Sequence, residues 1–319
     1  MFEAGSGSPT LQMKVFKSLW TAAMIGFAVA PAPVWAKPLP GDLAAKERAT
    51  ILTPASPWQL DGDADRCVLA RKFTSEDGPG LLAFEQFAPG PRFDLTMAAP
   101  TLASERRGYW FYGGLRDDWP VKTISPIEFD LPGYGDAATL PSARIQPRPF
   151  RSASISMEAA DLSSRVVLQR ATTIVSFETG PMRAPFAALN ECAATMLDDW
   201  DLDRAAHQEY TPARMPSPRT YFARLNNALL ADGVELGEGV LVRIKARVEG
   251  DGKVTRCRMG SLAIQDGALP DICADITDMT FEPAVGANGE TMPSLFSMSI
   301  RMTSQGAWNA GAHGGRWGG

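Results

Sequence analysis

Between Val240 and Val248 the side chains alternate with period two: Val240, Val242, Ile244, Ala246 and Val248 stand against Leu241, Arg243, Lys245 and Arg247. Successive side chains of a strand point to opposite faces, so this run fixes a sheet with one apolar and one basic face. Glu249-Gly250-Asp251-Gly252 supplies a hairpin turn, and 254–259 is the returning strand. Leu269, Ile272, Cys273, Ile276 and Met279 then fall at i, i+3, i+4 and i+7 on a short helix opened by Pro270. After a turn at Asn288-Gly289, Phe296, Met298, Ile300 and Met302 alternate with Ser297, Ser299 and Arg301. The pattern predicts a small ββαβ unit over 236–303.

A chain of 319 residues has room for about two domains. Upstream, 81–87, 93–97, 109–112, 127–131, 154–157, 166–170 and 172–178 are rich in β-branched and aromatic residues and separated by Gly, Pro and Asp turn signals, with Gly78-Pro79-Gly80 read as a turn. They predict a β-rich domain over 57–204. Phe186, Leu189, Ala193, Met196, Leu197 and Trp200 have helical spacing, so a helix over 185–200 should close that domain with one apolar stripe. Residues 205–235, with Pro212, Pro216 and Pro218, read as a linker, and 304–319 as a Gly-rich flexible tail. The fold class expected is α+β. A net charge of -5 and a pI of about 5.2 argue against a whole-chain electrostatic grip on nucleic acid or an anionic membrane.

The N-terminus reads as an export signal. Residues 1–12 look like an over-extended start before Met13; Lys14 and Lys17 form a basic region, 19–29 is apolar, and Val34-Trp35-Ala36 is a small-x-small cleavage site. The apolar run is too short to span a bilayer, and Pro31 and Pro33 break it. Cleavage after Ala36 leaves a periplasmic or secreted protein with no membrane span. In that oxidising setting Cys67, Cys192, Cys257 and Cys273 read as two disulfides, for which three connectivities exist. They lack C-x-x-C spacing and nearby His, so no metal site and no cofactor are expected. The organisation of the chain favours Cys67 with Cys192, joining the first domain's opening strand to its closing helix, and Cys257 with Cys273, joining a strand to the helix over it.

The run 242–248, the Asp251-Gly252-Lys253-Val254 turn, Cys257, Cys273, then Phe281-Glu282-Pro283-Ala284 and Gly289 resemble the C-terminal domain of the TonB family. The order of turn, Cys, Cys and F-x-P-A is similar to its two-cysteine, secreted alphaproteobacterial variants, over residues 240–302. Pro57-Trp58, Cys67, Arg71, Phe73 and the helix from Cys192 to Trp200 resemble the uncharacterised β-rich domain that precedes it in such proteins. Met259-Gly260-Ser261 and Tyr221-Phe222 depart from the family's small-residue turn and Tyr-Pro. The resemblance implies that the last strand, 295–302, with Leu295, Ser297, Ser299 and Arg301, accepts an extended peptide from an outer-membrane receptor or other envelope protein. Coverage of that edge by the N-terminal domain, the tail or a second copy is the alternative.

Strand phase adds a second surface. Val254, Arg256 and Arg258 should share a face with Arg243, Lys245, Arg247 and Arg301, giving six cations. Residues 240–302 hold 7 Lys or Arg against 8 Asp or Glu, so this is segregation within an acidic-to-neutral unit. Three uses are open: a solvated face, packing on the acidic Asp198, Asp199, Asp201, Asp203 region, or contact with an anionic glycan or lipid head group. Asp61-Gly62-Asp63-Ala64-Asp65 starts like a calcium loop but has Arg66 at position six and Lys72 at twelve. His207 reads as a surface residue, and no nucleophile motif is present. The expectation is a non-catalytic exported binding protein; a structural or assembly factor that dimerises, or an enzyme with its site in the N-terminal domain, are the alternatives.

Overall fold

A computed structural model describes residues 49–103, 110–116, 122–124, 126–146, 152–170, 173–231, 240–262, 272–303 and 306–312. The expected export segment, 1–36, lies outside them. In chain order the strands are β1 (Ala49–Pro54), β2 (Gln59–Gly62), β3 (Cys67–Ser75), β4 (Gly78–Gln86), β5 (Phe93–Ala98), β6 (Trp110–Arg116), β7 (Lys122–Ile124), β8 (Ile127–Leu131), β9 (Gly135–Ala143), β10 (Ser163–Arg170) and β11 (Thr173–Phe177) in the first half. The second half carries β12 (Tyr210–Thr211), β13 (Val240–Val248), β14 (Val254–Leu262), β15 (Ala284–Gly286), β16 (Thr291–Met292), β17 (Ser294–Thr303) and β18 (Gly306–Ala312). The helices are α1 (Met157–Asp161), α2 (Arg183–Asp199), α3 (Pro218–Ala231) and α4 (Ile272–Thr277). The protein is strand-rich, with helices and sheets mixed.

One long sheet runs β7-β6-β10-β11-β1-β3-β4-β5-β9-β8, with β2 added beside β3. Its neighbours are antiparallel except β1 and β11, which pair in parallel. Helix α2 lays Phe186, Leu189, Ala193 and Met196 inward, and Phe186 meets Phe84 with ring centroids 5.0 Å apart. Leu52, Leu69, Phe73, Leu82, Leu95 and Phe177 complete this core. Cys67 is bridged to Cys192, tying β3 to α2. Gly62 sits against that bridge, where a Cβ would collide with the Cys192 sulfur. Gly78-Pro79-Gly80 opens β4 rather than forming a turn, pairing with Phe73–Ser75 of β3, and at Gly80 a Cβ would meet the buried end of the Leu52 side chain. Residues 154–157, read as a strand, instead lead into α1, where Ser156 accepts a hydrogen bond from the Ala159 amide as N-cap.

The second sheet has the order β14-β13-β17-β18. Val242, Ile244, Ala246, Val248, Phe296, Met298 and Ile300 form its apolar face and pack with Ile272 and Ile276 of α4. Cys257 is bridged to Cys273 across that layer. Three expectations change here. Residues 205–235 include β12 and α3, whose Tyr221, Phe222 and Leu225 belong to this second core, as do Tyr210 and Met215. Residues 306–312, read as part of a flexible tail, form β18 against β17. Val254 turns to the apolar side, because a register shift beside Val248 inverts its phase. The two halves, expected as separate domains, lie in one compact unit, Leu39–Gly319. Each keeps a core, and Ala88, Leu197, Trp200, Leu202 and Leu295 form a third cluster between them.

Candidate functional site at the junction of the two sheets

The basic face of β13, β14 and β17 is turned onto the first half of the chain. Glu85 of β4 and Asp94 of β5 are directly opposite each other in the strand ladder, on the face away from Phe84 and Leu95. Two carboxylates in that relation repel unless a cation lies between them. Arg243 is that cation. Its Nη1 and Nη2 donate to Glu85 at 2.7 and 2.9 Å, its Nε donates to Asp94 Oδ2 at 2.9 Å, and Nη2 is 2.7 Å from the same oxygen. Burial pushes the Asp94 carboxyl above its ordinary range, opposed by Arg243 and by the Ser142 amide that donates to Oδ1 at 2.8 Å.

The neighbouring cations follow suit. Lys245 donates from Nζ to the Asp65 carbonyl at 2.8 Å and lies 3.4 Å from its carboxylate, which also accepts from Arg258 Nη1 at 3.0 Å. Desolvation of Asp65 is outweighed by hydrogen bonds from Arg258 and Lys245, so its carboxyl lies below the usual value. Burial draws the Lys245 ammonium down. Arg247 donates to the Trp200 and Asp201 carbonyls, and Arg256 to the Asp199 carbonyl, with the Arg256 guanidinium 4.5 Å above the Trp200 ring. These carbonyls end α2, where the helix dipole favours positive charge. Arg301 feels Glu128 of β8 while burial lowers its pKa.

The sequence-derived site residues therefore lie together, but inward. Leu295, Ser297 and Ser299 are 6%, 1% and 0% exposed and share the face of Arg243 and Lys245. The edge expected at 295–302 is closed on both sides, by β13 and by β18. Of the uses open to the basic face, packing on acidic groups of the same chain is the one observed; its partners are the buried Asp94 and the partly buried Glu85, the exposed Asp65 adds a third carboxylate, and the 198–203 region contributes mainly backbone carbonyls. Sequence reading picks out Asp65 only as part of a calcium-like loop and passes over Glu85 and Asp94, although Phe93-Asp94-Leu95 places a charge inside an apolar strand, which a buried partner must answer.

Two features stay accessible. A cleft of about 350 Å³ opens at the junction, lined by Asp65, Arg66, Phe87, Arg243, Lys245, Arg258, Met259 and Gly260. Beside it runs β14, which among the described residues pairs on one side only, with β13. His207, expected at the surface, is 2% exposed; its Nδ1 donates to the Asp203 carbonyl at 2.6 Å and its ring packs on Tyr210. The calcium-like loop is an Asx turn, with Asp63 Oδ1 accepting from the Asp65 and Arg66 amides, each at 2.8 Å. Among the described residues no cluster of three or more His, Cys, Asp or Glu is arranged to hold a metal ion, and no helix is long and apolar enough to cross a membrane. No family model, curated protein or solved structure matches the chain.

Proposed function

We propose that this is a non-catalytic, exported binding protein of the cell envelope, in which a TonB-like C-terminal module contacts an outer-membrane protein or other envelope component through the edge of β14. The observation that carries this reading is the asymmetry of the second sheet. Strand β18 lies against α3 and β9, whereas β14 is unpaired on its outer side among the described residues. Along it Met259 is 41% exposed, and Gly260 has no atom within 4 Å of a Cβ position, so the sheet face beside this edge is open there. Strand addition draws affinity from main-chain hydrogen bonds and selectivity from alternate side chains. The two disulfides suit an oxidising compartment.

Photo-crosslinkers placed at Thr255 and Met259 in the periplasm test this directly. Capture of one discrete envelope partner from both positions, and none from Ser297 or Ser299, is the expected result. Crosslinks to a second copy of the chain alone would favour the assembly-factor reading, in which two β14 edges pair.

A further inference from the structure

The charge around the junction cleft does not balance once Asp65 moves. Arg66, Arg243, Lys245 and Arg258 bring four positive charges to its walls, while the carboxylates in contact with them are Asp65, Glu85 and Asp94. Glu85 and Asp94 are held by Arg243, at most 2.9 Å away. Asp65 differs. It sits on an exposed turn with its side chain 64% accessible, and its single carboxylate is shared by Lys245 and Arg258. Lys245 is the reverse, with a side chain only 6% accessible. Arg66 reaches Glu85 only at 3.8 Å. Lys245 Nζ donates to the Asp65 backbone carbonyl at 2.8 Å and lies 3.4 Å from the exposed Asp65 carboxylate, so another anion can take the carboxylate's place while the carbonyl contact stays. With the Asp65 carboxylate swung outward, four cations face the two carboxylates in contact with them, Asp63 acting on Lys245 from farther off, so the cleft carries up to two positive charges. A phosphate monoester carries about that much negative charge at neutral pH. The remaining walls are apolar, Phe87 and the exposed Met259, and the volume lies at the small end of ligand pockets.

We propose that this cleft binds a small phosphate monoester with an apolar body, whose phosphoryl group takes the place of the Asp65 carboxylate on Lys245 and Arg258, beside Arg66 on the cleft wall. Asp65 is then an internal competitor that holds the cations in position in the free protein. This goes beyond the strand-addition reading and does not depend on it, since the site needs no occupant on β14.

Calorimetric titration of the full exported chain with phenyl phosphate is the test, with inorganic phosphate, benzoate and benzyl alcohol as comparisons. Phenyl phosphate should bind, inorganic phosphate about tenfold more weakly for want of the ring contacts, and benzyl alcohol not at all. Arg258→Gln, on a partly exposed side chain, should weaken phenyl phosphate by about tenfold or more. Asp65→Asn should tighten it about two- to fivefold, the sign a competitor requires and a merely structural aspartate does not. No binding by either the native chain or Asp65→Asn would overturn the proposal. So would weaker binding by Asp65→Asn with its fold intact by circular dichroism, or benzoate binding as tightly as phenyl phosphate.

Discussion

Glu85 and Asp94 stand side by side on paired strands and share one guanidinium, so the consequence of removing Arg243 is sharply defined. Arg243→Met leaves two like charges facing each other at a buried junction and should cost about 3–5 kcal/mol in denaturant unfolding. Adding Glu85→Gln and Asp94→Asn to that variant should recover part of the loss, because the penalty lies in the unpaired carboxylates. Arg243→Lys should not rescue, since an ammonium cannot make the bidentate fork to Glu85. His207 sets a second expectation. A carbonyl only accepts, so Nδ1 carries the proton toward Asp203, and Nε2 is buried without a partner among the described residues. Burial holds the imidazole below its ordinary value of 6.5. A depressed folded-state value means that stability is complete above the unfolded value and falls as pH drops toward the folded one. Denaturant midpoints at pH 7.5 and 5.5 should therefore differ more for the native chain than for His207→Gln; equal differences would contradict the assignment.

At the scale of elements, the two disulfides should be unequal. Cys257 and Cys273 are 16 residues apart and Cys67 and Cys192 are 125 apart. In the chain-entropy account, removing the first should cost about 3 kcal/mol and the second about 2 kcal/mol more. Reduction-resistant unfolding midpoints of the two double-Ala variants measure this. Strand β17 is central, so proline at Ser297 or Ser299 should disrupt the ladder and unfold the second sheet, visible by circular dichroism, whereas on an open edge it would be tolerated. Much of this layout was legible in sequence. The alternation at Val240–Val248, the helical spacing of Phe186, Leu189 and Met196, and the strand-to-helix logic of the cysteines each depend on local periodicity. What escaped depends on contacts between distant segments. The covering of β17 needs residues beyond 303 to return as β18, and Tyr221, Phe222 and Leu225 declare themselves as core only when the second sheet lies above them. Likewise, periodicity shows that Arg243, Arg256 and Arg301 share a face with Ser297 and Ser299 but not what that face meets.

At the scale of the whole molecule, the face that a TonB-like module was expected to offer to partners is the surface by which this chain holds its own halves together. Arg243, Lys245, Arg247, Arg256 and Arg258 all bond to groups of the first half that lie between Asp65 and Asp201, and Leu295 seals the junction with Trp200 and Leu197. Two cores coupled through buried charges and a shared apolar cluster should melt together, since neither half can open without stranding ions of the other. What the junction leaves accessible is the cleft and the β14 edge. Differential scanning calorimetry of the native chain and of Arg243→Glu tests this coupling most directly. The native chain should show one transition with equal calorimetric and van't Hoff enthalpies, and Arg243→Glu should split it into two. Two resolved transitions in the native chain, or a single unshifted one in the variant, would contradict it.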